Sequence, residues 1–124
     1  MELRNLGRHS DWITAMDATA DLRWAVSASR DGTLKLWDVE LGLERSSLAG
    51  HGRGVTVAAM TPDAWGVVSA CEDGRLRVWD VASGGVIASF YGDAWLTSCA
   101  VAPDGIRIAA GDWSGRIHLL RLKP

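Results

Sequence analysis

Apolar and polar residues alternate along the chain in short runs set apart by turn-forming residues. Runs of this kind, with a period of two and about six residues long, predict half-buried β-strands. Between residues 48 and 89 they are Val55 to Met60, Gly66 to Cys71, Arg75 to Asp80 and a weaker Val86 to Phe90, separated by TPDA, EDG and ASGG. Four antiparallel strands make a small twisted sheet. Val68 and Ala70 on the second strand, with Leu76 and Val78 on the third, make its two faces apolar enough that it has to stack against neighbours. Asp31-Gly32, in the stretch SRDGTLKLWDVE at 29–40, predicts a tight two-residue hairpin turn, because Asp and Gly tolerate positive φ.

That stretch returns as CEDGRLRVWDVA at 71–82, and the recurrence extends over the whole chain. Leu6, Leu48 and Phe90 are corresponding positions 42 residues apart, as are Asp31 and Asp73; the third unit is one residue shorter, so Asp73 maps onto Ser114 at 41. One domain, 1–124, therefore contains repeat 1 at 6–47, repeat 2 at 48–89 and repeat 3 at 90–124. Residues 1–5 precede the first unit where an outer strand would lie, and are expected to complete a neighbouring blade. A four-stranded sheet repeated about every 40 residues is the blade of a β-propeller. The expected class is all-β, with three blades per chain.

The repeated phrases also carry a family resemblance. AGH at 49–51 and the weaker GRH at 7–9, TPD at 61–63, APDG at 102–105, SASRDG and SACEDG, and the strand ends LWD and VWD together resemble WD40 repeats over almost all of the chain. The resemblance implies a hydrogen-bonded chain in each blade: His9, Ser27, Asp31 and Trp37 in the first, and His51, Ser69, Asp73 and Trp79 in the second. These sets also contain the ingredients of a serine-hydrolase triad. Catalysis, however, needs a nucleophile on an exposed, strained turn beside an oxyanion hole, whereas Ser27 and Ser69 fall in mid-strand and recur with a Trp. The expected role is structural, with the indole donors satisfied and each imidazole oriented by a carboxylate. In the third unit Asp93, Ala110, Ser114 and Leu120 replace the four residues, which predicts a blade without this network that relies on packing through Ile117, Leu119 and Leu120. Alternation sets His118 apart from Ile117 and Leu119, as a solvated or rim histidine.

Composition narrows the chemistry. The formal net charge of −2, with 11 Arg scattered among 2 Lys, predicts no nucleic-acid partner, because no basic face is large enough to drive counterion release. No run of about 18 apolar residues suggests a membrane span, and MELRNLGRHSDW has no signal-peptide core, so a cytoplasmic location is expected. Cys71 and Cys99 lie within apolar strand patterns without CxxC spacing, which predicts reduced, buried thiols. No metal-ligand spacing or phosphate-binding Gly loop appears, since SGG at 83–85 is a turn, so neither a catalytic residue nor a cofactor is expected.

Seven Trp is heavy use for this length, and the repeat explains two of them. Trp24 and Trp65 fall at turns and are expected to pack or to lie at a rim. The WD40 resemblance implies that one rim of the central channel carries three positions per blade. These are Trp12, Thr14 and Arg30; Gly54, Thr56 and Glu72; and Trp95, Thr97 and Trp113. Trp and Arg dominate protein interfaces, so this rim predicts a protein or peptide partner. The alternatives are indoles that only cover a neighbouring blade, a small-molecule or carbohydrate-binding channel, and the sensor segment of a larger bacterial signalling protein. Three blades cannot close a ring. Head-to-tail association of two chains into six blades, or of three into nine, would hide the open edges; the other possibility is a segment of a longer propeller. The expected function is a non-enzymatic scaffold or recognition module.

Overall fold

A computed structural model describes residues 4–49 and 54–122, which form three antiparallel sheets and no helix. The first blade is β1 (Ile13–Ala18), β2 (Trp24–Ser29), β3 (Thr33–Asp38) and β4 (Leu43–Ala49). The second is β5 (Val55–Met60), β6 (Gly66–Cys71), β7 (Arg75–Asp80) and β8 (Val86–Tyr91). The third is β9 (Leu96–Val101), β10 (Arg107–Asp112) and β11 (Ile117–Arg121). Within each sheet every strand pairs with the next in sequence. Of the strands predicted for the second unit, three fall on the expected residues and the fourth runs one residue further. The sheets stay separate and do not close into a ring.

The blades stack through two apolar layers. Between the first two blades, Val26, Ala28, Leu34 and Leu36 meet Val55, Val67 and Trp79. Between the second and third, Val68, Ala70, Leu76 and Val78 meet Leu96 and Ile108. Burial of each large aliphatic side chain stabilises such a layer by about 1.5–3 kcal/mol. Trp24 packs on the first layer and Trp65 on the second. The same alternation turns Ile117 and Leu119 outward, where they are 78% and 82% exposed. The expectation that the third blade packs through Ile117, Leu119 and Leu120 therefore holds for Leu120 alone, because the first two sit on the face that a fourth blade would cover.

The hairpin turn differs from the predicted one. Gly32, Gly74 and Gly115 each have positive φ (88°, 82° and 93°), while Asp31 does not. Each glycine donates its N–H to the residue three back: Ser29, Cys71 or Asp112. The first two are three-residue connections that end in a left-handed glycine, and the third has the same glycine followed by Arg116. The correction frees the Asp31 carboxylate, which accepts from the Thr33 N–H and hydroxyl at 2.9 and 2.6 Å.

A second irregularity lies in the first strand of every blade. Pairing skips one residue between Ile13 and Ala15, between Val55 and Val57, and opposite Gly111 and Asp112. The residues left out of register are Thr14, Thr56 and Thr97. A bulge of this kind bends the strand and redirects the side chain of its extra residue.

Candidate functional site

In the first blade β2 and β3 bring Ser27 beside Trp37, and the loop ahead of β1 lays His9 over both. Trp37 Nε1 donates to Ser27 Oγ at 2.8 Å, and Ser27 Oγ lies 2.6 Å from His9 Nε2. His9 Nδ1 faces Asp31 Oδ2 at 3.3 Å. His9 Nδ1 also lies 3.2 Å from Thr33 Oγ1; with the imidazole proton on Nδ1, the chain runs in one direction from indole to hydroxyl to imidazole and from imidazole to carboxylate. Thr33 and Ser10, which the sequence pattern did not single out, also hold Asp31; the Ser10 N–H donates at 3.1 Å. Burial opposes ionisation of Asp31, but the hydrogen bonds from Thr33 and Ser10 outweigh it and hold the carboxyl well below the usual range. Gly7 closes the loop over the indole: a Cβ there would lie 2.7 Å from the Trp37 ring. The order Ser–His–Asp mimics a hydrolase triad, yet Ser27 is 1% exposed and its oxygen already takes the Trp37 proton.

The second blade repeats the inner half of this arrangement, with Trp79 Nε1 donating to Ser69 Oγ at 2.8 Å. His51 lies outside the described residues. Asp73 accepts from the Arg75 N–H at 2.8 Å and from the Cys71 thiol at 2.6 Å. Burial pushes both thiols up, to about 11 for Cys71 and for Cys99, and neither forms a disulfide.

The third blade has a polar network after all. Where the first two turns read SRD and CED, the third reads DWS, so relative to the first turn acid and hydroxyl have exchanged places. Asp112 accepts from the Ser114 hydroxyl at 2.6 Å and from the N–H groups of Ser114 and Arg116, and His118 Nε2 lies 3.0 Å from its other oxygen. The Ser114 hydroxyl, followed by His118, holds the Asp112 carboxyl well below its ordinary range. His118 is thus neither solvated nor at a rim. Alternation does place it with Lys35 and Arg77, but that face looks toward the preceding blade, where the Phe90 ring lies 5.3 Å away. Asp93, at the position of the loop histidine, forms an exposed ion pair with Arg116 at 3.2 Å.

The residues assigned to the rim occupy one end of all three sheets. The N–H groups of Arg30, Glu72 and Trp113 donate to the carbonyls of Trp12, Gly54 and Trp95 at 3.0, 3.3 and 2.8 Å. The Arg30 guanidinium sits 5.1 Å above the exposed Trp12 ring. Trp95 and Trp113 face each other at 6.4 Å, tilted by 39°, and both are exposed. Gly54 joins two blades here, since its Cβ would lie 3.3 Å from Glu72 Oε1 and 3.6 Å from the Arg30 Cα. The threonines behave differently. Thr14 donates to the Val55 carbonyl and Thr56 to that of Leu96 at 2.7 Å, each reaching the first strand of the following blade. Thr97 is exposed and reaches only the Gly111 carbonyl of its own blade, at 3.4 Å. Periodicity alone does not reveal the bulges that aim these hydroxyls. Among the described residues no three His, Cys, Asp or Glu side chains are grouped so as to hold a metal.

Comparison with known proteins adds to this geometry. A 40-residue stretch, 32% of the chain, is 48% identical to U3 small nucleolar RNA-associated protein 21 of Saccharomyces cerevisiae and spans 4% of that protein's length. The pattern of the WD domain, G-beta repeat (WD40), matches residues 1–38, 42–80 and 84–119. Three matches over most of the chain, each with its own sheet and a bulged first strand, place this protein in the WD40 repeat family.

Proposed function

We propose that the chain is a non-enzymatic recognition module that holds a protein or peptide at the rim formed by Trp12, Arg30, Glu72, Trp95 and Trp113. WD40 repeats imply a protein-interaction scaffold. The observation that carries the finer reading is the concentration of exposed indoles at one end of the blades. Trp113 is 78% exposed and Trp12 72%, and neither belongs to an apolar layer. Large aromatic side chains left in water at a common edge, with an Arg stacked on one of them, have the composition of interface hot spots. Thr14 and Thr56 support the rim from beneath by tying adjacent blades together. The net charge of −2 favours a protein partner over nucleic acid, and the proposed location is the cytoplasm.

Chains associate head to tail in this reading, two giving six blades or three giving nine. Of the segment 1–5, expected to supply an outer strand to a neighbouring blade, residues 1–3 lie outside the described residues.

The test is capture of binding proteins from a displayed peptide library by the wild-type chain and by Trp95→Ala and Trp113→Ala. Loss of capture with an unchanged melting temperature is expected. Capture that survives both substitutions excludes the rim, and retention of glycans in place of peptides moves the reading to a carbohydrate-binding propeller.

A further inference from the structure

The repeat gives every residue of an inter-blade layer a counterpart at the two open faces. On the outgoing side, Val26, Ala28, Leu34 and Leu36 of the first blade correspond to Val68, Ala70, Leu76 and Val78 of the second, and these to Ala109, Gly111, Ile117 and Leu119 of the third. On the receiving side, Val55 and Ala58 of the second blade correspond to Leu96 and Cys99 of the third, and back to Ile13 and Met16 of the first. In both formed layers these positions are covered. At the two ends they are open: Ile117 and Leu119 are largely exposed, as are Ile13 at 51% and Met16 at 60%. The polar link has the same translation. Thr14 reaches the Val55 carbonyl and Thr56 that of Leu96; the Thr97 hydroxyl, whose contact is the Gly111 carbonyl of its own blade at 3.4 Å, holds the equivalent donor position, and the Ile13 carbonyl the equivalent receiving one.

We infer that the outgoing face of the third blade, centred on Ile117, Leu119 and the Thr97 hydroxyl, docks the receiving face of the first blade of a second copy of this chain, centred on Ile13 and Met16. This inference rests on the head-to-tail reading above and gives it a specific surface. The occupant follows from continuity with the two layers already formed: the first blade carries an apolar residue at each receiving position that the layers use, and the third carries the bulged threonine that makes the bond. A heterologous contact of this kind uses two different patches, so each copy keeps one free end until the ring closes.

The experiment measures the mass of the purified chain by light scattering over a range of concentrations, with Leu119→Asp and Met16→Asp alongside. Both substitutions lie outside the chain's own apolar layers, so each variant is expected to fold, which circular dichroism checks. The wild type is expected to have the mass of two or three chains, and each variant the mass of one. Mixing the variants restores a two-chain species, because the intact face of each fits the intact face of the other. Thr97→Val removes one hydrogen bond at every junction and raises the dissociation constant about tenfold per junction. Ile117→Asp stands in for Leu119→Asp if circular dichroism shows the latter unfolded. If the wild type associates and both variants still associate, the surface is wrong although head-to-tail assembly survives. Variants that stay monomeric when mixed overturn the two-patch geometry. A folded, strictly monomeric wild type overturns both the surface and the assembly.

Discussion

Thr56 donates its hydroxyl proton to the Leu96 carbonyl at 2.7 Å, across the boundary between the second and third blades. The bond depends on a bulge that removes Thr56 from the ladder with β6, so a local irregularity in one sheet becomes a tie to the next. Replacement by Val keeps the shape and removes the donor. Thr56→Val is expected to cost about 1–2 kcal/mol, read as a lower urea midpoint with an unchanged slope, while Thr56→Ser stays within a few tenths. A loss in Thr56→Ser with none in Thr56→Val would mean that the methyl group, and not the hydroxyl, matters here.

Ser27 stands between two buried groups, the Trp37 indole and the His9 ring. Ser27→Ala leaves the indole N–H and one imidazole nitrogen without their partner at the same time. The expected loss is about 2–3 kcal/mol, since each unsatisfied buried group costs more than an average hydrogen bond contributes. Thermal melting followed by tryptophan fluorescence measures it, and a melt within experimental error of wild type would count against the network.

Acid should loosen the fold through its aspartates. Asp31 and Asp112 are held below the ordinary value of 3.8, and Asp104, through the Ile106 and Arg107 N–H groups and the Arg107 side chain, is lowered to about 2. A carboxyl lowered on folding contributes stability that is complete above its unfolded value and is lost as pH falls through the folded one. Urea midpoints are therefore expected to hold steady down to about pH 4 and to fall toward pH 2. Asp112→Asn removes one of these groups and should flatten the decline; an unchanged profile would show that the bonds of Asp112 to Ser114 and His118 do not contribute to stability.

The turns between the first and second strands offer a backbone test. Leu22, Ala64 and Gly105 occupy the same position, with φ of 58°, 62° and 69°. Only Gly adopts that region without a steric cost. Leu22 is exposed, so Leu22→Gly forfeits little packing and is expected to stabilise by about 0.5 kcal/mol. Gly105→Ala acts in the other direction, at about 1–2 kcal/mol, because its Cβ would also meet Trp65 Nε1 at 3.2 Å. Paired denaturation curves decide it, and shifts of the same sign would refute the argument.

Much of this architecture is legible in the letters. Alternation bounded by TPDA and EDG places β5, β6 and β7 to the residue, because strands covered on both faces need apolar side chains at defined positions and turns need residues that tolerate the bend. The bulges are not legible, since one inserted residue leaves the composition of the run unchanged. At Asp112 the signal was present, but position-by-position comparison set Ser114 against Asp31 and so hid the exchange of acid and hydroxyl. His118 shows a different limit: periodicity assigned its face correctly, but only the stacking of sheets shows that Phe90 and Asp112 occupy that face. The rim positions were implied by the WD40 resemblance and not by periodicity; the stacking of Arg30 on Trp12 required coordinates.

The threonine bulges also bear on how many blades such a chain can hold. In both formed ties the hydroxyl lies on the earlier blade and the carbonyl on the later one. Every unit therefore carries both the acceptor and the donor, on adjacent residues of its first strand, whatever its position in the row. Duplication or loss of one unit of about 42 residues would leave both termini of the stack chemically unchanged. Length in this architecture can vary by whole blades without any junction having to be redesigned.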